Sequence, residues 1–185
     1  MYNIQAMSTS NEYVIGFPKL NSDGKIINNT NNSFMVSPNI SLASQLGETC
    51  HQQFKDYIAN NQPDYIMPNI KDWYYIAERQ CDNYVETTFI DKNGNHLWDE
   101  GEEIIEYRDW RLPTKAEIEA IIDFQNSSRA MDKVLDAQYY FCITGTADSN
   151  DLTNIHNWVS REIPGYDSAT SQGYYIRCVR DEGRK

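Results

Sequence analysis

The spacing of apolar residues changes twice along the chain and divides it into three stretches. In the first, short β-branched and aromatic runs alternate with Asn, Ser and Gly, as in "EYVIGFPKLNSDGKIINNTNNSFMVSPNISLASQLG". Such runs predict brief strands with turns at 22–24 and 28–32. In the second stretch the spacing becomes helical. "ETCHQQFKDYIANN" sets Cys50, Phe54, Tyr57 and Ile58 on one face and stops at Pro63. "KDWYYIAERQCDNYVE" aligns Trp73, Ile76, Ala77, Cys81 and Tyr84, which predicts a second helix with Cys81 turned to the core. In "WRLPTKAEIEAIIDFQ", Thr114 caps a helix and Glu117 reaches back to close a capping box. Ile118, Ile121, Ile122 and Gln125 line one face of that helix, and Pro113 holds Leu112 extended before it. "SSRAMDKVL" adds a short helix. The third stretch, "QYYFCITG", "HNWVSREIPGY" and "GYYIRCVRD", returns to strand composition between polar loops.

Strands at both ends with helices between them predict an α+β domain. The terminal strands would share a sheet, with the helices packed on its flank. The 185 residues suit a single domain over 1–185, opening on an irregular β entry at 1–33, and no internal repeat divides them.

Charge narrows the function. With 27 acidic against 16 basic residues the net charge is -11, and no basic patch is visible to offset it. Phosphate backbones and anionic membranes are therefore poor partners, so neither nucleic acid binding nor direct membrane insertion is expected. No apolar run approaches the roughly 18 residues a bilayer span needs. The N-terminal "MYNIQAMSTSNEYV" lacks the charged and apolar blocks of a signal peptide.

Four cysteines, Cys50, Cys81, Cys142 and Cys178, stand too far apart for a zinc knuckle. Two disulfides and four buried thiols both remain open from the count. The stretch "DKNGNHLWDEGEE" carries a different chemistry. Counted from Asp91, the liganding positions of a calcium loop hold Asp91, Asn93, Asn95, Leu97 through its carbonyl, Asp99 and Glu102. Calcium takes six to eight hard oxygen ligands, which this alternation supplies. Against that, His96 stands where such loops use glycine for positive φ, and the flanks "ETTFI" and "EEIIEYRDW" read as strands. A solvated hairpin with an Asn-Gly turn is the competing reading. His51, His96 and His156 have no companion Ser or Cys pattern of a nucleophile and base, and no carboxylate pair stands out, so catalysis is not expected.

The pairing of "WRLPTKAEI" with a terminal "YYIRCVRD" resembles bacterial domains of the C-type lectin-like fold, among them the formylglycine-generating and sulfatase-modifying group. "SPNISLASQLG", then Ala77, Cys81, Tyr84 and Glu86, then "FQ" and "MDKVL", more narrowly resembles C-terminal domains of Bacteroides-type surface and fimbrial tip proteins. The likeness covers residues 34–181. It implies a short sheet closing the termini, two flanking helices and a long irregular region that often supplies a binding surface. It further implies a bridge from Cys81 to Cys178, which leaves Cys50 with Cys142. The reactive cysteine segment of the formylglycine-generating enzymes has no counterpart here. The tripeptide "QPD" at 62–64, a metal and sugar motif in galactose-binding lectins, lies before the conserved helix that carries Cys81 and not in the late loops; a "WND" companion is missing.

The resemblance thus implies an adhesin-like module at the cell exterior or outer-membrane surface, binding a host or bacterial glycan or protein, with fimbrial subunits as further partners. A structural or assembly module without its own ligand is the alternative. Within 146–172, His156, Arg161 and Tyr166 are the surface candidates for ligand contact, whereas Trp158 and Tyr174 suit the core. Calcium, if bound, would serve structure.

Overall fold

In the computed structural model, residues 2–5, 13–27, 29–44, 47–48, 60–61, 70–127, 141–147, 155–159 and 175–184 are described. The hub is β4 (Asn39–Leu42), with Ile40, Ser41 and Leu42 all buried. β1 (Tyr2–Gln5) pairs antiparallel along one edge of it and β11 (Val179–Asp181) along the other. The two ends of the chain therefore meet across one central strand. Ser41, the polar member of β4, is satisfied there by donating to the Glu182 carboxylate.

Beside this sheet lies a four-stranded one, ordered β5 (Gly47–Glu48), β10 (Tyr175–Ile176), β8 (Phe141–Ala147) and β9 (Ile155–Val159). Two smaller ladders complete the β structure among the described residues: β2 (Val14–Ile15) parallel to β3 (Met35–Val36), and the hairpin of β6 (Glu86–Phe89) with β7 (Ile104–Tyr107). The final "YYIRCVRD" is not one strand. It breaks at Arg177 and Cys178, so β10 serves one sheet and β11 the other. Both residues at the break grip Ala43, whose N–H donates to the Cys178 carbonyl (3.0 Å) and whose carbonyl accepts from Arg177 Nη1 (2.7 Å).

Three helices are present among the described residues: α1 (Thr30–Ser33), α2 (Ile70–Asn83) and α3 (Lys115–Ser127). Where a turn was expected at 28–32, the chain makes the single helical turn α1, because the Asn29 side chain caps it by accepting the Asn32 N–H at 2.8 Å. The buried Asn32 side chain then staples the loop around it, accepting from Lys19 N and donating to the carbonyls of Lys19 and Ile27. On α2, Ala77 and Cys81 are fully buried but Ile76 is exposed. The core stripe follows positions 77, 81 and 84, and Ile76 sits about 100° of helical rotation away from Ala77.

α3 begins with the capping box: Thr114 Oγ1 accepts the Glu117 N–H (3.0 Å) while the Glu117 carboxylate accepts the Thr114 N–H (2.9 Å). Ile118 and Ile121 are buried beneath it. Between α2 and the β10–β11 break, Ala43, Ala77, Cys81, Trp110, Leu112, Ile176 and Cys178 form one apolar cluster. Tyr84 meets Trp110 edge to face at 5.1 Å. Within that cluster Cys81 and Cys178 are joined as a disulfide, 97 residues apart in sequence, with Cα atoms 5.5 Å apart. Of the helix expected at 48–61, Glu48 belongs instead to β5 and 60–61 are helical, while the rest lies outside the described residues, as does the short helix expected at 127–135 beyond Ser127, the end of α3.

Candidate functional site

The loop of residues 91–102 crowns the β6–β7 hairpin. The strands fix its mouth, since Ile90 N–H donates to the Glu103 carbonyl at 2.9 Å directly beyond the Phe89–Ile104 pair. Glu102 closes it from inside by accepting Lys92 N–H (2.9 Å) on one oxygen and Asp99 N–H (3.1 Å) on the other. Asp91 accepts the N–H groups of Gly94 (2.6 Å) and His96 (2.8 Å). Asn93 and Asn95 repeat the device, their side-chain oxygens accepting Asn95 N–H (3.0 Å) and Leu97 N–H (2.7 Å). Both amide nitrogens converge on Asp99 Oδ2. Every polar side chain at the alternate positions therefore points back into the loop.

This geometry bears on the two objections raised by the sequence. The flanks are indeed antiparallel strands, so the loop is not part of a helix-loop-helix unit. His96, however, adopts φ 62, the left-handed conformation for which such loops use glycine. Holding a non-glycine residue there costs roughly 1–2 kcal/mol. The N–H it turns inward is the largest cause that keeps the Asp91 carboxyl below its ordinary range; desolvation opposes it, and the Gly94 N–H adds to it.

The donor set of three carboxylates, two amide oxygens and the Leu97 carbonyl is the hard-oxygen chemistry that suits calcium. As hydrogen-bonded here, Asn93 and Asn95 offer nitrogen to Asp99 and spend their oxygens on backbone N–H groups. Both amides would have to turn to become ligands. Among the described residues no group of three or more His, Cys, Asp or Glu side chains stands ready to hold a metal ion.

Sequence reasoning missed a second polar constellation. Arg111, buried to 4% exposure, donates through Nη1 and Nη2 to Glu117 (2.8 Å each), through Nε to Asp181 (3.2 Å), and through Nη2 also to Asp181 and to Ser37 Oγ (3.1 Å). Ser37 in turn donates its hydroxyl to Asp181 and its N–H to Glu117. Burial alone would push Arg111 down, yet Glu117 and then Asp181 outweigh it and hold the guanidinium above its ordinary value. Burial would likewise raise Asp181, and Arg111 reverses this to leave it below the usual carboxylate range. Arg111 and Glu117 are both letters of "WRLPTKAEI", and Asp181 is the last of "RCVRD"; that shared buried chemistry was the signal available.

Arg111 and Asp181 also floor a surface groove of about 380 Å³, walled by the 20–24 turn, the end of α2 and residues 108–110. Most of its charges are paired, Asp181 with Arg111 and Arg184 and three more with residues outside the lining. Asp82 meets Lys25 at 2.8 Å, Asp109 meets Arg180, and Arg108 meets Glu106 at 2.6 Å. No Ser, Thr, Cys, His or Lys lines it.

Of the residues expected to contact ligand, His156 lies in β9, the edge strand of the four-stranded sheet, within the register shift between Ile143 and Ala147 of β8. Its side chain lies outside the described residues, as do Arg161, Tyr166, Cys50, the side chain of Cys142 and the tripeptide at 62–64. The structure thus gathers the six loop residues but does not describe the late binding region. No helix among the described residues is long and apolar enough to cross a membrane.

Comparison with known proteins finds similarity to a fimbrium tip subunit. Over 159 residues, 80% of this chain, it is 27% identical to the major fimbrium tip subunit FimD of Porphyromonas gingivalis, a match found both for strain ATCC 33277 and for the species at large. The chain spans about a fifth (19%) of the length of these curated relatives. No family model matches, and no solved structure matches.

Proposed function

We propose that the chain is a non-enzymatic, adhesin-like binding module of an exported fimbrial tip or cell-surface protein. The observation that carries this reading is the likeness to a fimbrium tip subunit across four-fifths of the chain. The placing of β1 and β11 on either side of β4, with α2 and α3 as the principal helices, supports a C-type lectin-like fold. Its ligand is a host or bacterial surface glycan or protein, met by His156, Arg161 and Tyr166 in and beyond β9, where aromatic and guanidinium groups give stacking area and directed hydrogen bonds. Glycan and host-protein arrays test the proposal. Saturable binding that is lost in Arg161→Ala and Tyr166→Ala supports it; a folded chain that binds nothing on either array argues against it.

A second reading concerns the loop. We propose that calcium, held by Asp91, Asn93, Asn95, the Leu97 carbonyl, Asp99 and Glu102, stiffens the β6–β7 hairpin. A two-stranded ribbon is marginally stable alone, and the left-handed His96 supports the loop geometry that this ion requires. A bound cation would neutralise the carboxylates that now share backbone N–H groups. Calorimetry is expected to give saturable heat with a dissociation constant of about 10⁻⁴–10⁻³ M, the range of extracellular modules, abolished in Glu102→Ala. No heat at millimolar calcium removes this reading and leaves the first intact.

A further inference from the structure

Asn93 and Gly94 form the one Asn-Gly dipeptide in the chain, set in the exposed part of the hairpin loop. Asparagine before glycine is self-reactive, because no Cβ shields the following backbone nitrogen from the side-chain carbonyl carbon. The surroundings do not shield it either: a Cβ built on Gly94 would meet nothing within 4 Å. Two hydrogen bonds favour attack. Asn95 N–H donates to Asn93 Oδ1 at 3.0 Å, which withdraws electrons from the carbonyl and stands where negative charge would grow. Gly94 N–H donates to Asp91 Oδ1 at 2.6 Å, which enriches the attacking nitrogen.

We propose that Asn93 is a spontaneous modification site at which the loop rewrites its own charge. The Gly94 nitrogen bonds to Asn93 Cγ and its proton passes to solvent. Nδ2 takes up a proton from solvent, the bond from Cγ to Nδ2 breaks and ammonia leaves, giving a five-membered imide. Water then adds to one of the two imide carbonyls and opens the ring, to aspartate or to isoaspartate. Either product adds one negative charge. Aspartate gives the six donor positions a fourth carboxylate beside Asp91, Asp99 and Glu102. Isoaspartate inserts a methylene into the main chain between positions 93 and 94 and breaks the alternation that aims those side chains inward. The reaction does not depend on calcium; its consequence for a cation rests on the calcium reading.

The test incubates the full chain at neutral pH with a chelator present and follows each asparagine by peptide mapping with mass spectrometry. A parallel sample is held unfolded in urea. Asn93 is expected to lose ammonia at least as fast folded as unfolded, and about tenfold or more ahead of the exposed Asn21, Asn31 and Asn83, each followed by a residue that carries a Cβ. A folded rate well below the unfolded one overturns the proposal, as does an Asn93 rate equal to those of the three reference positions. The chelator keeps this outcome separate from that of the calcium titration.

Discussion

The Arg111 cluster and the 91–102 loop solve the same problem in opposite ways. Each gathers carboxylates in a small space and satisfies them by hydrogen bonds. In the interior, Glu117 and Asp181 share a guanidinium, and that cation ties three distant parts of the chain: Ser37 before β4, the start of α3, and β11. In the loop, Asp91, Asp99 and Glu102 rely on backbone N–H groups and two amides drawn from within a dozen residues, while Leu97 and Trp98 stand 67% and 53% exposed. The interior cannot tolerate an uncompensated charge, so its cation is built into the fold. The exposed loop can leave its anions to water, and so remains open to an ion from solution. A carboxylate cluster holds the fold together where the protein supplies the counter-charge, and becomes a candidate site where it does not.

The contrast can be broken at its strongest point. Arg111→Met strips the buried Glu117 of its guanidinium and leaves Asp181 only Arg184, whose Nε lies 2.7 Å away, and is expected to cost about 3–5 kcal/mol in chemical denaturation; a loss below about 1 kcal/mol would mean that the cluster is not what joins the three segments. Arg111→Lys should rescue little, since an ammonium cannot match two carboxylates with a planar fork. Next in size is the bridge beside it. Reduction, or Cys178→Ser with Cys81→Ser, is expected to cost about 2–5 kcal/mol, because the bridge closes a long loop in the unfolded chain. Unchanged stability after reduction would count against an oxidised pair in solution.

Acid sharpens the comparison further. Asp181 is held below its ordinary value when folded, so the stability it contributes is present above the unfolded value of about 3.9 and is lost as pH falls through the folded one. Asp181→Asn should therefore flatten the dependence of stability on pH below about 4 and lower stability at neutral pH; an unchanged acid limb in that variant would contradict the assignment. The smallest expected effect lies in the loop. His96→Gly releases the left-handed strain but gains unfolded-chain freedom, for a net stabilisation of about 0.5 kcal/mol by thermal melting. A loss greater than about 1 kcal/mol would show that the His96 side chain matters despite its exposure.

What the sequence made legible follows the range of the forces involved. The α3 start was readable because capping is local: Thr114 and Glu117 stand three residues apart and close the box on each other's ends. The hairpin flanks and the loop spacing were readable for the same reason. Ile76 was misassigned because helical spacing defines a stripe but not its centre, which the packing of Ala77 and Cys81 against Trp110 decides. The break at Arg177 and Cys178 was invisible, since strand composition runs unbroken through it and only the competition of two sheets for one segment divides it. The Arg111 cluster was quoted as part of a motif without its purpose, because its partners lie 6, 70 and 74 residues away and nothing local selects them. The expected binding residues depend on loop shape, to which neither periodicity nor capping speaks.

The central claim is that this chain acts by binding and not by holding a fibre together. Its most direct test places Arg161→Ala and Tyr166→Ala together in the full-length protein of the source bacterium, then counts assembled fibre tips and adherent cells in the same culture. The account predicts normal tips with adherence lost. Missing tips, or full adherence with tips intact, would contradict it.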